Sequence, residues 1–509
     1  MKPKYSRALL TGLTLISLLF TLGSQAKQDA PSPLQIAEEA FSKGDYKKAK
    51  EQFELAFMSG TSLEAGTGLA ETLLKLDDWK GARDTAMKAM RIRSTSADAT
   101  AIYADALFRG GDLNDAGLHY LRALSLDQQN ARALVGLAVM KLSRGENSEA
   151  LSYLRDAIAA APQTARAYYW MGVVFQNEGR CSEAADAYEK FLSFKQTGYP
   201  ENLLSGLDVF AIPPLRSLGQ ATPFAVSGPS TISIPFDFSQ NVPVITAVAN
   251  GITVKLLVDM TIQNFVYYDS DSISKIKATK FTTHIAEHGA DLGIGISGNL
   301  RVGDLTVTNI PVLSANRVML EQDLDKKLTG IDGAIGLTWL RSSVVTFDYQ
   351  NHTLTISPPS FADSSQRLIA PKLNGAAPKV SLRLPFQLIN GKIVLPASIG
   401  DTNISVLLAT GQVNSTVSAD FANNNFKPEE IVKSGDANYV KSMVLNFGGQ
   451  EIASPNVDIS QKLDDVSKRT GVQFGAALGQ QFLRNLSKLS VDFANMIVTF
   501  EIDQSKPAK

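Results

Sequence analysis

The chain has 509 residues, 44% of them apolar and 19% charged, which excludes wholesale disorder and suits about three domains with separate cores. Forty-nine basic residues stand against fifty acidic ones, and no basic stripe interleaved with aromatics is present. A function resting on phosphate neutralisation along nucleic acid is therefore excluded. Cys181 is the only cysteine, so neither an intramolecular disulfide nor a cysteine-based metal cage is available.

Residues 1–26 read as a secretory signal peptide. Lys2, Lys4 and Arg7 give a basic start, residues 8–23 an apolar run, and Ser24-Gln25-Ala26 a small-residue cleavage end. The run falls short of the roughly 20 residues of a membrane span, and no cysteine follows it to take a lipid. The expected product is exported, periplasmic or secreted, with no stable membrane span. A large exported protein without disulfides fits a bacterial periplasm.

From residue 34 to 195 small residues recur at Ala49, Ala82, Ala116, Ala150 and Ala184, spaced by 33, 34, 34 and 34. Five positions before each lies a helix-breaking residue: Gly44, Asp77, Gly111, Gly145 and Gly179. Ala56, Ala89, Ala123, Ala157 and Phe191 follow seven positions after. The pattern predicts five helix-turn-helix units in which alanines allow close crossing, while Phe53, Tyr120 and Tyr188 fill the gap to the next unit. It resembles the tetratricopeptide repeat, seen in Gly179-Arg180-Cys181-Ser182-Glu183-Ala184-Ala185. The resemblance implies a curved solenoid whose groove receives a protein or peptide. Trp79, Trp170 and Tyr168-Tyr169 are read as packing residues.

Residues 196–230 carry Pro200, Pro213-Pro214, Pro223 and Pro229 and are read as a connector, with Val209-Phe210-Ala211-Ile212 docking on a neighbour. Two β-rich halves follow, residues 231–360 and 380–503, joined by a second connector at 357–378. They echo each other at an offset of 150. Ile234-Pro235-Phe236 answers Leu384-Pro385-Phe386, and Leu257-Val258-Asp259-Met260-Thr261 answers Leu407-Leu408-Ala409-Thr410-Gly411. Each half then carries an apolar-Gly element, at Gly336 and at Gly479, ahead of a strand pair.

These spaced motifs resemble the retropepsin-like aspartyl protease domain. The expected fold class is thus an all-α tetratricopeptide solenoid followed by two all-β retropepsin-like domains forming a pseudo-twofold pair. The family's active loop is Asp-Thr-Gly in each of two halves, and its two carboxylates share a proton and activate a water. Here Asp259 remains in the first loop, followed by Met260 and Thr261. The second loop keeps Thr410 and Gly411, but Ala409 replaces the acid. Met260 lacks the hydroxyl that braces paired loops, and Thr261 replaces the glycine that the family's tight turn uses. The resemblance implies catalytically impaired domains and an exported protein- or peptide-binding scaffold, with an interlobe cleft that still grips extended chains by strand pairing. The alternatives are an active aspartic endopeptidase using Asp259, through a homodimer that brings two copies of it together, and a purely structural scaffold.

His284-Ile285-Ala286-Glu287-His288 matches the spacing of inverted zinc peptidases, but Gly289 interrupts the helix such a site needs, so no metal is expected. Gly293-Ile294-Gly295-Ile296-Ser297-Gly298 spells a dinucleotide fingerprint with a strand where a helix is required, and is read as flexible flap glycines. No cofactor is expected.

Overall fold

The structure, a computed structural model, describes residues 31–194, 211–268, 272–282, 293–314, 329–359, 379–434 and 437–503. Residues 1–26, read above as a signal peptide, Val209-Phe210 and the His284 to His288 stretch lie outside them. A helical repeat solenoid comes first and a β-rich region with two closed six-stranded barrels follows.

The helical part begins with ten helices in five antiparallel pairs: α1 (Pro33–Ser42) with α2 (Tyr46–Phe57), α3 (Leu63–Lys75) with α4 (Trp79–Ile92), α5 (Ala97–Gly110) with α6 (Leu113–Leu126), α7 (Ala131–Ser143) with α8 (Asn147–Ala160), and α9 (Ala165–Asn177) with α10 (Cys181–Ser193). Period-34 chemistry starts and stops them. Ser62, Ser96 and Asn130 cap α3, α5 and α7 by accepting from Ala65, Ala99 and Ala133 N–H. Between the helices of each pair, Gly44, Asp77, Gly111, Gly145 and Gly179 all take the left-handed conformation, φ 63° to 88°, which ends one helix and redirects the chain into the next. Ala49, Ala82, Ala116, Ala150 and Ala184 are wholly buried, where a larger side chain would push the paired helices apart.

Phe53 lies over Gly68 and Tyr120 over Gly136, each on the first helix of the following pair; neither glycine has room for a Cβ. Tyr188 differs from expectation and covers Gly172 of its own pair. No sixth pair follows it among the described residues. Instead α11 (Ile212–Leu218) lies on α10, burying Ile212, Leu215 and Leu218 in the core of the last two pairs.

The first barrel uses β3 (Val244–Ala249), β4 (Ile252–Val258), β5 (Phe265–Tyr267), β7 (Gly293–Val302), β8 (Leu305–Ser314) and β9 (Gly333–Ile335), with β1 (Ala225–Ser227), β2 (Ile232–Pro235) and β6 (Thr279–Thr282) outside the ring. The pairing β8-β5-β9-β4-β3-β7 closes on itself through β7 with β8. The first half also contributes β10 (Val344–Asp348) and β11 (Thr353–Ser357), and the second half opens with β12 (Lys379–Pro385) and β13 (Gln387–Ile389). Its ring is β14 (Lys392–Ile399), β15 (Thr402–Leu408), β20 (Phe474–Leu478), β16 (Thr416–Ser418), β19 (Gln450–Ser460) and β18 (Ala437–Phe447), closed by β14 with β18; β17 (Ile431–Ser434) flanks it. One correction follows for the first half. Gly293 to Gly298 lie inside β7, and residues 293–296 pair on both sides, with β6 and β8, so Gly293 and Gly295 form regular strand rather than a flexible loop.

A six-stranded sheet ties the halves together in the order β12-β22-β21-β10-β11-β2, where β21 is Lys488–Asp492 and β22 Ile497–Asp503. Three strands come from each half, and β10 meets β21 along Val344 to Asp348. The solenoid then docks its turn edge on the second barrel. Gln473 N–H donates to Arg109 carbonyl at 2.7 Å, Ser405 to Gly111 carbonyl at 3.3 Å, and Lys80 pairs with Asp420 at 2.9 Å. One apolar cluster includes Leu107, Tyr120 and Met140 of the solenoid and Leu407, Phe474 and Ala477 of the barrel.

The paired loops between the barrels

Each barrel builds its loop the same way. β4 runs parallel to β9 and β9 antiparallel to β5, so the chain leaving β4 must cross in front of β9; β15, β20 and β16 repeat this arrangement. Asp259 N–H donates to Ile335 carbonyl at 3.0 Å and Ala409 N–H to Leu478 carbonyl at 2.9 Å. Beyond the loops, Leu337 and Thr338 N–H bond Ile262 and Gln263 carbonyls, as Gln480 and Gln481 N–H bond those of Gln412 and Val413. Gly336 and Gly479 sit at the crossings. A Cβ at Gly336 would meet the Ile262 and Asn264 carbonyls at 2.6 Å, and one at Gly479 would strike the Asn414 carbonyl, so the apolar-Gly element is a requirement of backbone contact.

The two loops face each other. Thr410 is fully buried; its hydroxyl accepts from Met260 N–H at 2.8 Å and donates to Val258 carbonyl at 3.2 Å, both in the opposite loop. The reciprocal pair does not exist, because Met260 offers a thioether and is buried in the core shared by the two halves. Gln480 braces Thr410 from behind, its amide donating to the Thr410 carbonyl at 2.6 Å.

Asp259 is 2% exposed and is held within its own loop: Oδ1 accepts from Thr261 N–H at 2.7 Å and from the Thr261 hydroxyl at 2.6 Å. Thr261 therefore turns the carboxylate inward, a role its place in the sequence did not suggest. Gly411 does not take a left-handed conformation, and neither does Thr261. The turn argument for the glycine is thus corrected: Gly411 matters because a Cβ there would overlap the Asp259 carboxylate. Opposite, Ala409 contributes a methyl group to the apolar cluster that extends into the docked solenoid.

Lys392, at the start of β14, was not singled out by sequence. Its half-buried ammonium donates to Thr261 carbonyl across the interface between the halves. Burial pushes its pKa below the ordinary lysine value, and the charge of Asp259 opposes that shift. A lysine opening a strand gives no sequence signal of such a contact. Gly391, just before it, lies against Gln263 with no room for a Cβ. Among the described residues, no group of three histidines, cysteines or carboxylates gathers in a way that could hold a metal.

The solenoid carries its own cavity, of about 480 Å³, on the face of the first helices of successive pairs. Glu38, Glu64, Glu71 and Asp98 line it with Arg132, which is bound by Glu71 and, at 2.8 Å, by Asp105. The remaining field is acidic. No helix among the described residues is long and apolar enough to cross a membrane.

A tetratricopeptide-repeat family model matches residues 135–200. Among solved structures, MamA is 25% identical over 31% of this chain and 92% of its own, with a TM-score of 0.25. A tetratricopeptide protein of Thermus thermophilus, TTC0263, is 22% identical over 34% of this chain and 92% of its own, with a TM-score of 0.30. PilW, a type IV pilus biogenesis factor, is 22% identical over 37% and 87%, also with a TM-score of 0.30. No curated protein matches the chain. The tetratricopeptide character of the helical part rests on the family-model match and on its own helix pairs.

Proposed function

We propose that this chain is an exported protein-binding scaffold whose aspartyl-protease-like pair no longer cuts and serves recognition. What supports the reading is that the loop keeping Asp259 is bonded to a loop that has Ala409 at the equivalent position. Hydrolysis by this chemistry needs two carboxylates that hold one proton between them. Here the single carboxylate is buried, bonded inward by Thr261 and pressed against Gly411, while the opposite position is apolar and continuous with the solenoid interface. An acid at 409 would be a buried charge among alkyl groups, at a cost of several kcal/mol on the order of those known for unpaired buried ions. Solenoid docking and loss of the second acid thus belong together.

The homodimeric peptidase is disfavoured by the same contacts. The Asp259 loop is already engaged by Thr410 and Lys392 of its own chain, and the six-stranded sheet already joins the halves. The surfaces that support binding are the interlobe cleft and the acidic solenoid groove, the latter suited to a partner segment with basic residues.

The test is hydrogen exchange of the full chain with and without a mixed peptide pool. Retained, uncut peptides with slowed exchange in loops 259–264 and 409–414, or in α1, α3 and α5, are expected. Recovery of cleaved peptides, or the absence of protection anywhere, would overturn the reading.

A further inference from the structure

A cavity of about 510 Å³ lies where the solenoid, α11 and both halves of the β region meet. Its walls mix apolar and aromatic side chains, Trp170, Val173, Leu388 and Met496 among them, with polar ones such as Gln176 and Asn390. Into it comes Arg341, which follows the short 3-10 turn after Gly336. Its Nη1 donates to the Asn177 side-chain oxygen of α9, but its Nε is buried and has no hydrogen-bond partner among the described residues. No aspartate or glutamate is among the described residues that line the cavity, and Arg144 adds a second cation to it. Burial pushes the Arg341 pKa down to about 10. A buried guanidinium with an idle donor and no counter-charge costs stability that an apolar residue would not.

We propose that this cavity is a binding site for an organic carboxylate with an apolar body, received on Arg341. With Nη1 given to Asn177, Nε still lacks an acceptor among the described residues, and a side-chain rotation that turns the Nε–Nη2 edge to the cavity sets its two parallel N–H groups on the two oxygens of one carboxylate. Trp170 and the alkyl walls take the rest of the ligand, and the volume is that of a small-molecule or short-peptide site. The carboxylate can belong to a lipid-like acid or to the free terminus of a peptide; the chemistry at Arg341 is shared.

Isothermal titration of the full chain distinguishes these sources. Its probes are decanoate, N-acetyl-leucyl-phenylalanine, the C-terminal amide of that dipeptide, and inorganic phosphate. At least one of the two acids is expected to bind saturably, and the amide and phosphate are not. Affinity should fall at least tenfold in Arg341→Gln, and also in Val173→Trp, which fills the cavity from α9 and leaves the guanidinium in place. Binding of decanoate alone assigns the site to a lipid-like acid, and binding of the dipeptide acid to a chain terminus. Without ligand, Arg341→Gln should keep or raise Tm, because it removes an unpaired buried charge. The proposal is overturned if neither acid binds, if the amide or phosphate binds as well as the acids, if binding survives Arg341→Gln, or if that variant melts well below the native chain.

Discussion

The two loops between the barrels are built on the same strand arrangement and carry different side chains at equivalent positions. The first has a carboxylate, Asp259, and no bridging hydroxyl at Met260; the second has the hydroxyl, Thr410, and an alanine, Ala409, where the first has its acid. The hairpin turns behind the loops have not diverged in this way. Asp348 accepts from Asn351 N–H and side chain at 2.9 and 3.0 Å, and Asp492 accepts the same pair from Asn495 at 3.0 and 2.7 Å. The difference teaches which parts serve the fold. Turn bonds shape each hairpin and the Thr410 bridge ties the two loops together, whereas position 409 carries only an apolar contact.

The bridge should be the costliest part to remove. Thr410→Val keeps the shape but leaves the buried Met260 N–H and Val258 carbonyl without their partner, so a loss of about 2–4 kcal/mol is expected in denaturant unfolding. A loss under about 0.5 kcal/mol would mean that the loops are held together elsewhere. Next comes Gly411→Ala, expected to cost about 1–3 kcal/mol by overpacking against Asp259. In an Asp259→Ala background that cost should shrink, with a coupling of about 0.5–3 kcal/mol; additive costs would show that the carboxylate does not occupy the space in front of Gly411.

The smallest effect concerns the turns. Although burial opposes it, bonds from Asn351 and the charge of Lys488 hold the Asp348 pKa below its usual value. A carboxylate depressed in the folded state stabilises at pH above its unfolded pKa, about 3.9, and that contribution disappears as pH falls through the folded value. Asp348→Asn should therefore cost about 1 kcal/mol at pH 7, and the gap to the native chain should close below about pH 4. A gap that persists in acid would show that the charge is not what the turn uses.

Much of this architecture is written in local chemistry. Period-34 alanines and left-handed turn residues mark the helix pairs, and Ser62, Ser96 and Asn130 add a capping signal at the same period. The 150-residue echo aligns Asp259 with Ala409 because β4 and β15 are equivalent strands. Other features are not legible because they arise from tertiary placement. Nothing near Gly111 or Gln473 announces that the solenoid edge seals the second barrel, and nothing marks Lys392 or Arg341, each of which acquires its role from an element far away in sequence. Gly411 was legible as a residue but not for its reason, since the space it spares is used by a side chain 152 positions earlier.

The most direct test of the account is a peptide-cleavage assay across about pH 3 to 8, the range in which paired carboxylates work, comparing the full chain with Asp259→Ala. Mass spectrometry of a mixed peptide pool should find no new termini with either protein. Cleavage by the native chain that vanishes in Asp259→Ala would contradict the proposal that Asp259, with Ala409 at the equivalent position of the other loop, does not hydrolyse peptides.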